Sequence, residues 1–365
     1  MKILINIGHP AHVHLFKNMI KKLEKGHIIK IVTRDKDVTL KLLDAYGFEY
    51  EVMSGYYNTM LGKIYDFIKT DLKLFKIAIK TKPDMLIAVG DPYVAQVGKL
   101  IRKPSIVFTD TEHAKLANKL TFPFTTVICT PSCYKEYLGK KQVRYNGYHE
   151  LAYLHPNYFK PDPSVLDDLG LSKNDKFTVL RFVSWDASHD IGQWGLDLKI
   201  KQRYIGELEK YGEVFITSEA KLEKELDKYK PRISPEKIHD LLHYATLYVG
   251  EGATMATEAG ILGTPSIYIS SLAGTMGNFE ELEKKYGLVY SFRNPDMALE
   301  KALQILKDEK VKAKWQKRRE KLLNEKMDVT KFMTEFIENY PESFNEYKRR
   351  ETENVECYKT EMAGW

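Results

Sequence analysis

The sequence predicts an α/β protein made of two doubly wound parallel-sheet domains, and three observations carry that prediction. Short β-branched apolar runs alternate with longer segments of helical periodicity. A proline-rich break, "YLHPNYFKPDPSVLDDLGLSKND", interrupts the alternation, and the same rhythm then restarts. The length, 365 residues, is enough for two such domains with their own cores.

The runs "KILINI", "IIKIV", "DMLIAVG", "SIVF" and "TVIC" suit buried strands, and a further strand falls near "VRYNG". Between the first two, Phe16, Met19, Ile20 and Leu23 recur at helical spacing over Val13–Lys25, and Gly26 stops that helix. Strands separated by helices imply a parallel sheet covered on both faces. Pro156, Pro161 and Pro163 then read as an extended linker. The second half repeats the pattern: "FTVLRFV", a helix around Lys201–Tyr211, "EVFIT", a helix capped by Ser234, "TLYVG", a helix from Ala253, and "PSIYIS". The expected organisation is a first domain over 1–155, a linker over 156–175, a second domain over 176–335 and a helix end with a polar tail over 336–365. Two such domains facing each other would line a cleft with the carboxyl ends of both sheets, where doubly wound folds bind ligands.

Composition excludes several classes. No apolar stretch reaches the roughly 18 residues that span a bilayer, and "MKILINIG" has neither the apolar length nor the cleavage site of a signal peptide. Cys129, Cys133 and Cys357 form no disulfide framework or zinc spacing, so a reducing, cytoplasmic setting is expected. The net charge of +6 favours anionic partners, but no nucleic-acid-reading motif accompanies it.

The stretch "INIGHPAHVHLFKNM" places His9, His12 and His14 on the loop and first helical turn after the first strand. Their spacing matches no established zinc pattern, and no metal or other cofactor is expected. Either polar residues simply start the helix, which covers one or two of the three, or one histidine is a candidate base and the others contact ligand. Asp91, after the third of the listed runs, is either a helix cap or a hydrogen-bond acceptor for a ligand. "FTDTEHAKLANKL" adds Asp110, Glu112 and Asn118 at a strand end, more polar groups than a cap needs. Asp35 and Asp37 form a D-x-D, but they follow the second strand and match by chance.

In "LYVGEGATMATEAGILGTPSIYIS", Gly252, Ala253 and Thr254 form a small-residue turn that lets phosphates approach backbone N–H groups. Met255 breaks the G-x-G-x-x-G pattern of dinucleotide folds. Upstream, "LRFVSWDASHDIG" ends the first strand of the second half with Arg181 and Trp185, which the resemblance given next puts over the phosphates, Arg181 to pair with a diphosphate and Trp185 to stack on a base or sugar.

These segments carry a resemblance. "AHVHLFKNMIKKL" resembles the helix start "GHxxPxxxLAxxL" of GT-B glycosyltransferases, with Ala11 and Leu15 replacing glycine and proline. The resemblance puts His12 at the base position. "FTDTEHAKLANKL" is similar to a MurG-like segment, and more loosely to one of the UDP-N-acetylglucosamine 2-epimerases. Residues 247–270 resemble the nucleotide-sugar signature of GT-B proteins, which implies Glu258 at the ribose hydroxyls and Gly252–Thr254 at the diphosphate. "SLAGTMGNFEELEKKYGLV" resembles the turn that follows, with Asn278 and Glu281 near the cleft. As a whole, residues 1–335 resemble the DUF354 family of the GT-B clan, through these segments together with "YNGYHELAYLHP" and "RFVSWDASHD".

The expected function is metal-independent glycosyl transfer from a nucleotide-diphosphate sugar to a lipid-linked or polysaccharide acceptor of the cell envelope. His12, Asp110 and Glu112 are the candidate catalytic residues, and His9, His14, Asp91 and Asn118 the acceptor contacts. The alternatives are a UDP-N-acetyl sugar 2-epimerase or hydrolase, whose carboxylates move protons on the sugar, and a non-catalytic nucleotide- or glycan-binding protein. Residues 60–82, apolar positions interleaved with lysines, read either as a helix packed on the sheet or as one lying on an anionic membrane surface. The second makes the protein peripheral on the inner face of the membrane.

Overall fold

The computed structural model describes residues 1–54, 60–183, 196–218 and 222–363, and these divide into two compact units. Unit 1 comprises Met1–Thr111, Lys115–Tyr153 and Met327–Trp365; unit 2 comprises Glu112–Ala114 and Leu154–Lys326.

Unit 1 opens with β1 (Lys2–Ile7), α1 (Pro10–Leu23), β2 (Ile28–Arg34), α2 (Thr39–Ala45), β3 (Tyr50–Ser54) and α3 (Met60–Thr81). It continues with β4 (Met85–Val89), α4 (Pro92–Leu100), β5 (Ser105–Phe108), α5 (Lys115–Thr121), β6 (Val127–Pro131), β7 (Gln142–Tyr145) and the one-turn α6 (Leu151–Leu154). The strands form a parallel sheet in the order β3-β2-β1-β4-β5-β6-β7. Ile3, Leu4, Ile5 and Ile7 are buried, as a central parallel strand demands, and α1 buries Val13, Phe16, Met19, Ile20 and Leu23. Leu74, Ile77 and Ala78 of α3 pack into a cluster with Leu4, Val32, Leu86 and Val94.

Unit 2 contains α7 (Ser164–Leu169), β8 (Phe177–Phe182), α8 (Leu198–Leu208), β9 (Glu213–Ser218), α9 (Ile238–Tyr244), β10 (Leu247–Gly250), α10 (Ala253–Ile261) and β11 (Ser266–Ile269). It ends with α11 (Gly277–Glu281), β12 (Val289–Phe292), α12 (Pro295–Leu306) and α13 (Val311–Glu325). Its parallel sheet runs β12-β11-β10-β8-β9. Both sheets are doubly wound, so each has a point where the strand order reverses: between β1 and β4 in unit 1, and between β8 and β10 in unit 2.

Three boundaries differ from the sequence reading. Residues 156–175 are not a linker: they carry α7, and the Asp162 N–H donates to Asp240 Oδ1 at 2.8 Å inside unit 2. The chain from Met327 returns to unit 1 as α14 (Val329–Glu338) and α15 (Glu342–Ala363). The start of α15 docks through Tyr347, whose ring lies 5.7 Å from Phe332 and 5.9 Å from Phe336, so the expected polar tail begins with an anchored helix.

Candidate functional site

In unit 1 the strand-order reversal sets the ends of β1 and β4 side by side. Asn6, next to last in β1, donates from Nδ2 to Asp91 Oδ2 at 2.7 Å. Asp91 also caps α4, accepting from the Val94 N–H at 2.9 Å. One oxygen of Asp91 is thus the helix cap and the other is held by Asn6. Burial pushes it up to about 6, against the opposing pull of the Val94 N–H bond, the Arg34 charge and Asn6. Asn6 was not singled out from the sequence, where its one signal is an amide inside an apolar run; its Oδ1 is buried and has no partner among the described residues.

The three histidines do not converge. His9 is the N-cap of α1, its Nδ1 accepting from the Ala11 N–H at 3.2 Å. His14 is buried on the far side of the helix, its ring 5.4 Å from Tyr153 and its Nδ1 3.3 Å from the Tyr46 hydroxyl. An acceptor contact through His14 does not fit that position. His12 is half-buried, and its Nδ1 accepts from the Gly8 N–H at 3.3 Å. Burial holds its pKa well below the usual histidine value, with His9, His149 and Lys36 adding to the effect, so the ring is neutral. Among the described residues no group of three or more His, Cys, Asp or Glu side chains is placed to hold a metal ion.

Asp110, after β5, lies with Oδ2 3.3 Å from Nδ1 of His149, and its Oδ1 accepts from the Thr111 hydroxyl at 3.0 Å. His149 follows β7 and was missed from the sequence, where it stands alone in "YNGYHELAYL". Asn118 is buried and donates to the Thr111 carbonyl at 3.2 Å, bracing the loop that carries Asp110. Glu112 belongs to unit 2, where its buried carboxylate accepts from the Gly277 N–H at 3.0 Å and so caps α11. Asp110 and Glu112, read together from the sequence, thus sit in different units and do different things.

In unit 2 the reversal sets Arg181, at the end of β8, beside the turn from β10 into α10. The glycines there are required by closeness: a Cβ on Gly250 would meet the Arg181 Cβ at 2.6 Å, and one on Gly252 would meet the Arg181 Cγ at 3.0 Å. The Tyr248 hydroxyl donates to the Gly252 carbonyl at 3.1 Å. Gly252 and Ala253 are half-buried and Thr254 is exposed, so the first turn of α10 is open. Its N–H groups point along the positive end of the helix dipole, with a guanidinium alongside. Glu251 accepts from the Val183 N–H at 3.4 Å and the Leu196 N–H at 2.7 Å. Trp185 lies outside the described residues.

The resemblance puts Glu258 at the ribose hydroxyls, and the structure places it inside unit 2. Only 3% of it is exposed, and its Oε1 lies 3.0 Å from Nε2 of the equally buried His239. It follows the open turn of α10 but does not share its exposure. Glu281 is bound from both oxygens by the buried Lys326 ammonium at 2.9 Å.

Two doubly wound parallel sheets of these strand orders are the α/β units of the GT-B fold, and solved structures share it. A Listeria monocytogenes protein described as a UDP-N-acetylglucosamine 2-epimerase superposes with a TM-score of 0.62 at 12% identity, over 86% of this chain and 90% of that one. The spinosyn rhamnosyltransferase SpnG, complexed with thymidine diphosphate, gives 0.61 at 12% identity, over 93% of this chain and 100% of that one. The chain belongs to the family described as "Protein of unknown function (DUF354)", matched over residues 1–342. The protein MJ0665 of Methanocaldococcus jannaschii is 27% identical over 279 residues, 73% of this chain and 81% of its own length.

Proposed function

We propose that this protein transfers a sugar from a nucleoside-diphosphate sugar, with unit 2 holding the donor and unit 1 supplying acid–base groups. The observation that carries the reading is Arg181 packed against the glycine turn at the open start of α10. A guanidinium and the first N–H groups of a helix suit a diphosphate, and they stabilise it more as charge develops on the leaving group. The donor contacts are Gly252, Ala253, Thr254 and Arg181. In unit 1, Asp91, Asp110 and the neutral His12 supply donors and acceptors for sugar hydroxyls. Isothermal titration with UDP and dTDP tests the reading: binding to the wild type that weakens at least tenfold in Arg181→Ala supports it. No binding of either nucleotide overturns it.

A second reading is proton transfer on a UDP-N-acetyl sugar itself, as in a 2-epimerase or hydrolase. Asp91 favours it, since a carboxyl near 6 both gives and takes a proton close to neutral pH. The two are separated by incubating UDP-N-acetylglucosamine with the protein alone. Conversion without an added acceptor selects the second.

The acceptor side bears on where the protein works. No helix among the described residues is long and apolar enough to cross a membrane. Helix α3, however, exposes Ile68, Leu72 and Ile79 at 55%, 56% and 53%. At 100° per residue these three lie within about 40° of one another, in a single stripe. Lys69, Lys76 and Lys80 are exposed along one flank of that stripe. Apolar groups beside a lysine row match an anionic lipid surface, and a lipid-linked acceptor would be presented there.

A further inference from the structure

The segment after β7 is held from several sides. The Asn146 carbonyl accepts from the Met327 N–H at 2.9 Å, and a Cβ on Gly147 would meet the Val329 Cγ2 at 2.5 Å, so only glycine passes under α14 there. Ala152 O accepts from Asn18 Nδ2 at 2.9 Å and from the Thr330 hydroxyl at 2.6 Å. The Tyr145 ring lies nearly parallel to that of His149, at 11° and 6.5 Å, and stacks in turn on Phe332 at 5.0 Å. The His149 ring is therefore held from its backbone and its face, with Nδ1 turned to the Asp110 carboxylate.

A carboxylate only accepts, so it selects the tautomer with the proton on Nδ1 and the lone pair on Nε2. That Nε2 is buried and has no partner among the described residues. Leaving such an atom unpaired is costly, and a hydroxyl donating to it would recover that cost. His12 is the reverse case. Its Nδ1 accepts from the Gly8 N–H, so a neutral ring carries its proton on Nε2 and presents a donor. Burial, ahead of the nearby His9, holds the His12 pKa well below the usual histidine value and keeps the ring neutral.

The geometry points to His149, oriented by Asp110, as the base of the reaction, and to His12 as a neutral hydrogen-bond donor to the ligand. This rests on the glycosyl-transfer reading. The acceptor hydroxyl gives its proton to Nε2 of His149 while its oxygen bonds the anomeric carbon. The bond from that carbon to the diphosphate oxygen breaks, and the nucleoside diphosphate leaves with the electron pair. The Nε2–H of His12 donates to a ligand oxygen and takes no proton.

Long-range ¹H–¹⁵N spectra of the full chain labelled with [¹⁵N]histidine read both tautomers, with His12→Gln and His149→Gln supplying the assignments. The expected result at pH 8 is Nδ1–H for His149 and Nε2–H for His12. Asp110→Asn should shift the His149 signals and leave those of His12 in place. The opposite tautomer at either ring overturns the proposal, whether or not a nucleotide binds. UDP titration of the same variants reads the functional proposal separately, because neither substitution touches the Arg181 turn. In turnover of UDP-N-acetylglucosamine, His149→Gln should lower kcat about 10²-fold or more with donor KM unchanged. Full kcat in His149→Gln alongside loss in His12→Gln also overturns it.

Discussion

His239 Nε2 and Glu258 Oε1 lie 3.0 Å apart, with side chains only 2% and 4% exposed. Each is the other's polar neighbour in a site that water does not reach. Removing one member of a buried pair leaves the other desolvated, which costs about 3–5 kcal/mol. Glu258→Ala should therefore lower the midpoint of chemical denaturation, with Glu258→Gln milder because the amide still meets the imidazole. Unchanged stability together with lost nucleotide affinity would return Glu258 to the ribose.

The two α/β halves were legible because a buried parallel strand has an unmistakable pattern, as in "KILINI" and "DMLIAVG". The return of Met327 onward to unit 1 was not, since the apolar stripe of α14 says that it packs but not where. The site divided in the same way. Gly252–Thr254 stood out because small residues cluster there. His149 did not, because its role comes from Asp110, 39 positions earlier and two strands away in chain order. The partners of Glu258 and Glu112 were not legible either, because a carboxylate near a motif looks the same in sequence whether it faces a ligand, a histidine or a helix terminus.

Gly250→Ala should damage both fold and donor site. The new methyl would meet the Arg181 Cβ at 2.6 Å and its carbonyl oxygen at 2.7 Å, neither of which moves without shifting β8. Overpacking of this kind costs about 1–3 kcal/mol. A lowered Tm with weaker UDP binding is expected. Wild-type affinity for UDP would separate Arg181 from the donor.

Asp91 gives a pH signature. Its folded-state carboxyl titrates near 6, above the ordinary 3.8, so between those values the folded protein holds a proton that the unfolded chain has released. Stability from this group is complete below about pH 4 and falls as pH rises through 6. Asp91→Asn keeps the cap, and Asn6 can turn its unpartnered Oδ1 to accept from the new amide. The variant should match the wild type at pH 4 and exceed it in Tm at pH 7. Equal Tm differences at the two pH values would mean that Asp91 is ionised throughout.

Helix α3 gives the last prediction. Its inner face, with Leu74, Ile77 and Ala78, is committed to the core, so packing on the sheet is already satisfied. That leaves Ile68, Leu72 and Ile79 with no structural task among the described residues. Burying three such side chains in a headgroup layer contributes on the order of 1–2 kcal/mol each, and each nearby lysine adds roughly 1 kcal/mol on an anionic surface. The full chain should sediment with phosphatidylglycerol vesicles at low salt, stay in the supernatant with phosphatidylcholine, and release as salt rises. Leu72→Ser should weaken binding at every salt concentration, whereas Lys76→Gln with Lys80→Gln should mainly remove the salt dependence. If the wild type stays in the supernatant with both lipids at low salt, the stripe does not meet a membrane and the acceptor is soluble.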